Sequence, residues 1–399
     1  MKNRRQILSW CLYDFANSSY SAVITAVIFP VYFVKVIAED PATGDLWWGR
    51  AVSLSMLVVA VTSPVLGGIS DHAGLRKRLL VAYSLVCVVS VGFLAFVGEG
   101  MVFEAFLLVI VANAAMEGAL VFYNAYLPDI APKDQLGRVS GWGFGLGYAG
   151  SVLALLLALL LMRNGAIRLS WPMVSVFFLV FSLPAFRFLP RDRPSGRPGR
   201  AALVGLKSTL RLLAEVLRTR RVRRFLLAYW LYKDGVNTII IFSSIYASVT
   251  LGFTGSELVI LYLLVQVSAM AGSVALSAPT DRWGAKSVVV LSLLLWIAVT
   301  VSAYLVDDKG AFWAIATMAG LGLGSVQAAS RALFSGFIPH GKEGEYFGIY
   351  ALAGKTSAVI GPALFGMISS AAGSQRPAVL SVLVLFVLGL AVLSSVETG

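Results

Sequence analysis

Two cysteines, Cys11 and Cys87, are too few for a disulfide framework, and since both lie inside apolar runs they offer no metal site either. Histidine is equally sparse. His72 and His340 stand in separate polar loops without ligand-spaced partners, which excludes a zinc centre or a triad built on them; neither a metal nor a cofactor is expected. Charged residues fill 13% of the 399 positions against 58% hydrophobic ones, too little polar surface to coat a soluble globule. Lipid is therefore the solvent for most of the chain. No nucleophile and base pair stands out, and an enzyme is not expected.

Long apolar runs take up the rest. Windows of roughly 20 residues, enough to cross about 30 Å of hydrocarbon, fall near 7–37, 47–70, 79–98, 101–127, 137–162 and 169–189, then near 224–250, 255–278, 287–306, 311–337, 345–371 and 377–395. In lipid each backbone amide must bond within its own segment, so twelve closely spaced runs predict an all-α membrane protein with twelve transmembrane helices. The basic start, Lys2 to Arg5, resembles a signal peptide, but the apolar stretch after it carries Asp14 and Asn17 and no small-residue cleavage site. It reads as a retained first helix.

A net charge of +12 would point to nucleic acid in a soluble protein. Here 24 of the 32 lysines and arginines fall on one side of the twelve spans, twelve of them between Arg187 and Arg224. That bias places both termini in the cytoplasm of a cell membrane and leaves no nucleic-acid partner to invoke. The chain divides into a six-helix half at 1–189, a linker at 190–223 and a second half at 224–399. The linker opens with Pro190, Pro194, Gly196, Pro198 and Gly199, then turns basic and amphipathic from Ala201 to Thr219. Leu203, Leu206, Leu210, Leu213 and Leu217 recur at helical spacing, which suits either a helix on the anionic inner leaflet, with membrane lipids as partners, or a plain tether between the halves.

The two halves repeat one another. Trp10, Asp14, Asn17 and Ser18 are matched 220 positions on by Trp230, Asp234, Asn237 and Thr238. The loop after the second span reads Gly67-Gly-Ile-Ser-Asp71-His-Ala-Gly74-Leu-Arg76-Lys77-Arg78, and 210 positions on it returns as Asp281-Arg282-Trp-Gly284-Ala-Lys286, with Ser277 in place of the leading glycine. Pro132, Gly137 and Gly141 recur 207 positions on as Pro339, Gly344 and Gly348.

That loop resembles the signature loop of the major facilitator superfamily, and it stands here twice at corresponding places. The resemblance implies two six-helix pseudo-repeats in the major facilitator fold. A tight glycine turn lets two helices approach, while the aspartate can hold a neighbouring helix end or arginine. Gly67, Asp71, Gly74, Arg76, Arg138, Asp281, Arg282, Gly284 and Lys286 are accordingly the expected gating residues, latching an outward-facing state. Three further stretches, Trp10–Ser18, Phe122–Ile130 and Gly137–Tyr148, look like hallmark segments of the autophagy-related vacuolar amino-acid effluxer family. The compact loops and the lack of a long N-terminal extension resemble a bacterial member, which implies the inner membrane. The family resemblance implies amino acids or similar small metabolites as cargo.

Ionisable groups at mid-membrane depth are costly and mark function by default. Asp14, Glu117, Asp234 and Lys355 each lie about 7–10 residues from the cytoplasmic end of their spans, roughly 10–15 Å at the helical rise. Asp14, Asn17, Ser18, Ser21 and Thr25 share one helical face, as do Asn113, Glu117 and Asn124. Asp14, Asn17, Ser18, Asn113, Glu117, Asn124, Lys233, Asp234, Asn237, Thr238 and Lys355 are the expected lining of a central cavity. Acids and bases together suit a zwitterion, its ammonium on a carboxylate and its carboxylate on a lysine. Glu117, flanked by apolar and small residues, is the expected carrier of a coupling proton. The structural alternative is that Asp14 or Asp234 bonds a lysine or caps a broken helix, and that Tyr13, Tyr123 and Tyr232 serve packing.

Gly145-Leu-Gly147-Tyr-Ala-Gly150 matches a dinucleotide-binding pattern in letters only. No strand precedes it, and Gly141/Gly145 and Gly143/Gly147 read as close helix packing or a hinge. Proton-coupled drug exporters of the superfamily carry a glycine-proline pair in the fifth span; here Gly361-Pro362 lies in the eleventh. The expectation is thus a monomeric secondary transporter of a small polar metabolite working by alternating access. A proton-coupled exporter of drugs or sugars ranks second, an intramembrane enzyme third and a non-transporting scaffold or receptor fourth.

Overall fold

Apolar segments without aqueous partners for their backbone must close their own hydrogen bonds, and the chain does so in helices throughout. The computed structural model describes residues 4–38, 41–193, 198–358 and 360–397, and no strand occurs among the described residues. In chain order the spans are α1 (Arg4–Ile37), α2 (Thr43–Ala73), α3 (Arg76–Phe96), α4 (Val102–Ile130), α5 (Lys133–Arg163) and α6 (Ile167–Phe188). After a linker helix (Pro198–Arg218) come α7 (Arg220–Val249), α8 (Glu257–Arg282), α9 (Ala285–Leu305), α10 (Lys309–Ser335), α11 (Glu343–Ala372) and α12 (Gln375–Ser394). Eleven of these are long and apolar enough to cross a membrane. α7 has the length, 30 residues, but Lys233, Asp234 and Asn237 dilute its middle.

Among the described residues α4 breaks at Ala125–Tyr126 and α8 at Leu276, each before a last short turn, and two further spans depart from a regular α-helix within their length. Beyond Tyr20, α1 loosens into i→i+5 bonding over Ser21–Val27 and again over Phe33–Ile37, on either side of Pro30, which lacks an amide donor. The eleventh span, expected to run unbroken from 345 to 371, is two helices, Glu343–Thr356 and Ile360–Ala372. Pro362 sits in the first turn of the second, where a missing N–H costs nothing.

The chain folds into two compact units. One comprises Met1–Ala131, Leu146–Leu212 and Ile338–Leu352; the other comprises Pro132–Gly145, Leu213–Phe337 and Ala353–Gly399. In the first, α1 packs on α6, and α4 packs on both α2 and α3; in the second, α7 packs on α12, and α10 on both α8 and α9. The pairing repeats at the level of packing what the sequence repeats in letters. Aromatic side chains fill the first core: Trp10 stacks on Tyr123 at 4.5 Å between centroids and donates its Nε1–H to the Tyr123 carbonyl. Tyr13, also fully buried, stacks on Tyr123 and hydrogen bonds Ser84, so these tyrosines pack.

In the linker helix, Thr209, Leu212 and Val216 are buried; Thr209 Oγ1 donates to the Pro64 carbonyl, and Ser208 bonds Glu345. That face rests on protein. The side chains of Leu203, Leu206, Leu210 and Leu217 lie outside the described residues.

Candidate functional site

Within the first unit, the π-helical stretch of α1 and one face of α4 enclose a polar pocket of about 90 Å³. Ser21 and Thr25 come from α1, Trp48, Val52 and Met56 from α2, and Asn113, Met116 and Glu117 from α4. Widening the α1 turn re-aims side chains at this point, a common use of i→i+5 segments at functional sites. Asn113 is anchored by a 2.6 Å bond from its Nδ2 to Ser55 Oγ. Glu117 is the pocket's one carboxylate. Two turns before Ser21 in α1, Asp14 is buried, and Asn17 Nδ2 reaches both its Oδ1 (3.4 Å) and the Tyr13 carbonyl (2.9 Å). Ser18 faces α5, where a side chain at Gly147 would stand 2.9 Å from its hydroxyl. Asn124 lies at the far end of α4 and is not part of the pocket.

The second unit gathers its polar residues around the break in α11. Asp234 is fully buried; its Oδ2 accepts the Gly361 N–H at 2.8 Å, in the first turn of the second α11 helix, and its Oδ1 has no hydrogen-bond partner among the described residues. Carboxylate meets the positive end of a helix, as the macrodipole favours. Asn237 Nδ2 bonds Ser357 Oγ at 3.3 Å across the same break, and Thr238 turns its hydroxyl to the Asp234 carbonyl. Lys233 and Lys355 are half-buried.

The two signature loops hold helix ends. Asp71 Oδ2 accepts the Glu345 N–H at 2.9 Å; Asp281 accepts the Gly137 and Arg138 N–H groups at 2.7 and 3.1 Å. These are repeat-related contacts, a carboxylate on the first turn of α11 in one unit and of α5 in the other. Close approach makes them possible: a methyl group on Gly67 would stand 2.0 Å from the Gly344 carbonyl oxygen, and one on Gly141 2.5 Å from the Ser273 oxygen. Gly74 and Gly284 turn the loops at φ of 61° and 87°, a region that side chains resist. Arg282 is exposed.

Arg76 goes further. Its guanidinium meets Asp71 Oδ1 at 2.9 Å, Asp129 Oδ2 at 2.5 Å, Glu343 Oε2 at 3.0 Å and the Ala125 carbonyl at 3.0 Å, over the face of Tyr126. Asp129, Glu343 and His340 bring ligand atoms within 4.8 Å of one another, a metal-like grouping, but Arg76 already supplies the two acids with positive charge. Residue spacing gave no sign of this convergence. Arg331, which the sequence leaves equally open to a functional or a structural role, is 3% exposed, bonds Ser140 through Nε (3.0 Å) and Nη2 (2.9 Å) and lies over Phe144. The Gly145–Gly150 stretch packs helices, Gly145 against Val274, Gly147 against Ser18 and Gly150 against the Phe15 backbone.

Comparison with known proteins agrees with this architecture. The model of the family described as "Vacuole effluxer Atg22 like" matches residues 50–399. The MFS-type transporter YxiO of Bacillus subtilis is 30% identical, with 98% of this chain and 95% of that protein covered. Autophagy-related protein 22 of Yarrowia lipolytica is 26% identical over 87% of this chain and 75% of its own. Among solved structures, the major facilitator proton:xylose symporter XylE superposes with a TM-score of 0.76 at 15% identity, covering 98% of this chain and 95% of that one. A bacterial homologue of the iron transporter ferroportin, in an outward-facing state, gives 0.74 at 14% over the full length of both.

Proposed function

Because the chain belongs to the Atg22-like vacuole effluxer family of major facilitator transporters, we propose that it is a secondary active carrier of a small polar metabolite, an amino acid or similar zwitterion, working by alternating access. The observation that supports this reading is the pocket on α1 and α4, where Glu117, Asn113, Ser21 and Thr25 meet. A carboxylate at that depth is retained where an ammonium or a proton meets it. Asp14 and Asn17 extend the polar face of α1 and Asn124 that of α4; within the second unit Lys233, Asp234, Asn237, Thr238 and Lys355 are the proposed solute-binding residues, and the two lysines offer the positive charge a solute carboxylate needs. Glu117 is the proposed proton carrier.

Gating falls to the loops. The Asp71–Glu345 and Asp281–Gly137 contacts and the Arg76 cluster hold helix ends together on what the positive-inside bias makes the cytoplasmic side, and they must part when solute passes there. The reading places a monomer in a bacterial inner membrane with both termini inside.

Counterflow in proteoliposomes preloaded with single amino acids, dipeptides or sugars tests it. One zwitterion should exchange, and Glu117→Gln and Asp234→Asn should each slow that exchange at least tenfold. Exchange of none of the panel, or wild-type rates in both variants, would sink the proposal.

A further inference from the structure

The repeat carries a second cavity whose chemistry is the reverse of the polar pocket. At the 207-residue offset relating α4 to α10, Val109, Asn113, Met116 and Glu117 correspond to Ala316, Gly320, Leu323 and Gly324. Ala316 and Leu323 line a cavity of about 120 Å³ inside the second unit, as Val109 and Met116 line the polar pocket in the first. Both polar positions of α4 have become glycines. At the 220 offset, Ser21 and Thr25 of α1 become Ile241 and Ile245, which are exposed and stand outside this cavity; α7 contributes Phe242, Ser243 and Tyr246 to its wall instead.

The wall is aromatic and aliphatic, with Phe242, Tyr246, Trp296, Phe312 and Phe365 at its centre. Three hydroxyls stand on it: Tyr246 donates to the Ala303 carbonyl at 2.8 Å, Thr300 to the Trp296 carbonyl at 2.7 Å, and Ser243 reaches the Ile240 carbonyl only at 3.5 Å. Trp296, 2% exposed, leaves its Nε1–H without an acceptor among the described residues. The Trp296 N–H and the weakly held Ser243 hydroxyl are the polar groups left over, at the lower limit of the two to four partners a water needs, and an ion or zwitterion would lie there unsolvated.

The pocket, open on one side, keeps its width because its frame is set by backbone contacts. Gly320 and Gly324 seat α10 directly on α8, so tightly that a methyl group on Gly324 would stand 1.9 Å from the Ala269 carbonyl oxygen. Backbone contact sets that spacing. On another side Phe242 stacks on Phe365 at 4.1 Å, tying α7 to α11. An engineered apolar cavity of about 150 Å³ in another protein stays dry and takes up benzene or xenon.

We propose that this cavity is a binding site for one small, uncharged, ring-sized apolar molecule, separate from the path of the transported solute. It accepts what the polar pocket refuses and refuses what the polar pocket accepts. The inference does not depend on the identity of the cargo.

The test uses the full chain in lipid nanodiscs with 5-fluoroindole followed by fluorine NMR. Saturable broadening in wild type, reversed by benzene, is expected. Ala319→Leu, which puts a side chain into the cavity, should weaken binding at least tenfold while unfolding no earlier than wild type. Ala316→Val gives the same reading should Ala319→Leu fail to fold. No saturable signal in wild type, no displacement by benzene, or undiminished binding in the folded variants overturns the proposal.

Discussion

Lys77 and Lys286 close the same pair of carbonyls in their two halves. Lys77 Nζ donates to Leu189 O at 2.9 Å and Arg187 O at 3.3 Å, at the end of α6; Lys286 Nζ donates to Val396 O at 2.6 Å and Ser394 O at 2.8 Å, at the end of α12. The acceptors are 207 positions apart and the lysines 209, one short of the 210 that aligns Asp71 with Asp281. Matching by letters at 210 pairs Lys286 with Arg76; matching by contact pairs it with Lys77. The residue before Lys286 is then Ala285, and the second loop has no counterpart of Arg76. Two loops that look alike in sequence are therefore unequal: both hold a helix end through aspartate, and only the first gathers three acids.

Arg76→Ala should be the most damaging single change in either loop. It strips the cation from Asp71 and Glu343, whose side chains are 1% and 4% exposed, and leaves buried acids facing one another. Removing one partner of a buried charge group costs about 3–5 kcal/mol. Arg76→Lys should recover less than half, since a point charge cannot reach three carboxylates as a planar fork does. Denaturant unfolding in detergent measures both. A loss below about 1 kcal/mol would mark the cluster as an ordinary surface network.

Asp281→Asn keeps the side-chain shape but leaves one accepting oxygen for two amides, those of Gly137 and Arg138. Losing a charged acceptor costs about 1.5–3 kcal/mol, so these amides should exchange with deuterium at least about tenfold faster. Asp71→Asn should change the Glu345 amide less, because its backbone bond involves one oxygen only. Equal exchange in Asp281→Asn and wild type would show that the α5 start is held by other contacts.

Legibility followed the range of the interaction. Spans and the paired aspartates are readable because apolar length and repeat offset are local or periodic properties. The Arg331–Ser140 contact joins positions 191 apart with no periodic trace, and the three acids around Arg76 come from three segments. The break in α11 did leave a signal. Gly361-Pro362 was weighed against an exporter motif, whereas a glycine followed by proline inside an apolar span also marks where a helix restarts. The polar pocket was half legible: Ser21, Thr25, Asn113 and Glu117 shared faces in the sequence, but the i→i+5 winding that frames them did not follow from residue type.

Two glycines in membrane helices should respond oppositely to alanine. At Gly67 the added carbon meets the Gly344 carbonyl oxygen at 2.0 Å and its carbon at 2.5 Å, both backbone atoms that cannot rotate away. At Gly366 nothing lies within 4 Å. Gly67→Ala should lower stability by about 1–3 kcal/mol through overpacking. Gly366→Ala should raise it by about 0.5–1 kcal/mol through helix propensity alone. Thermal unfolding of the two purified variants decides the matter, and a neutral Gly67→Ala would contradict the α2–α11 approach.

The linker helix offers a charge-sensitive test of its docking. Ser208 donates its hydroxyl to Glu345, a residue 1% exposed; one residue on, Thr209 donates to the Pro64 carbonyl, and Leu212 is buried a turn later. Ser208→Asp sets a second carboxylate against that acid, where burial strengthens repulsion, whereas Ser208→Ala only removes a donor. Limited proteolysis should cleave the Pro198–Arg218 segment several-fold faster in Ser208→Asp and barely faster in Ser208→Ala. High salt will not restore the aspartate variant if the pair is buried, since screening acts on exposed charges. Equal cleavage of both variants, or rescue by salt, would place Ser208 on an open surface and undo the view of this helix as a brace.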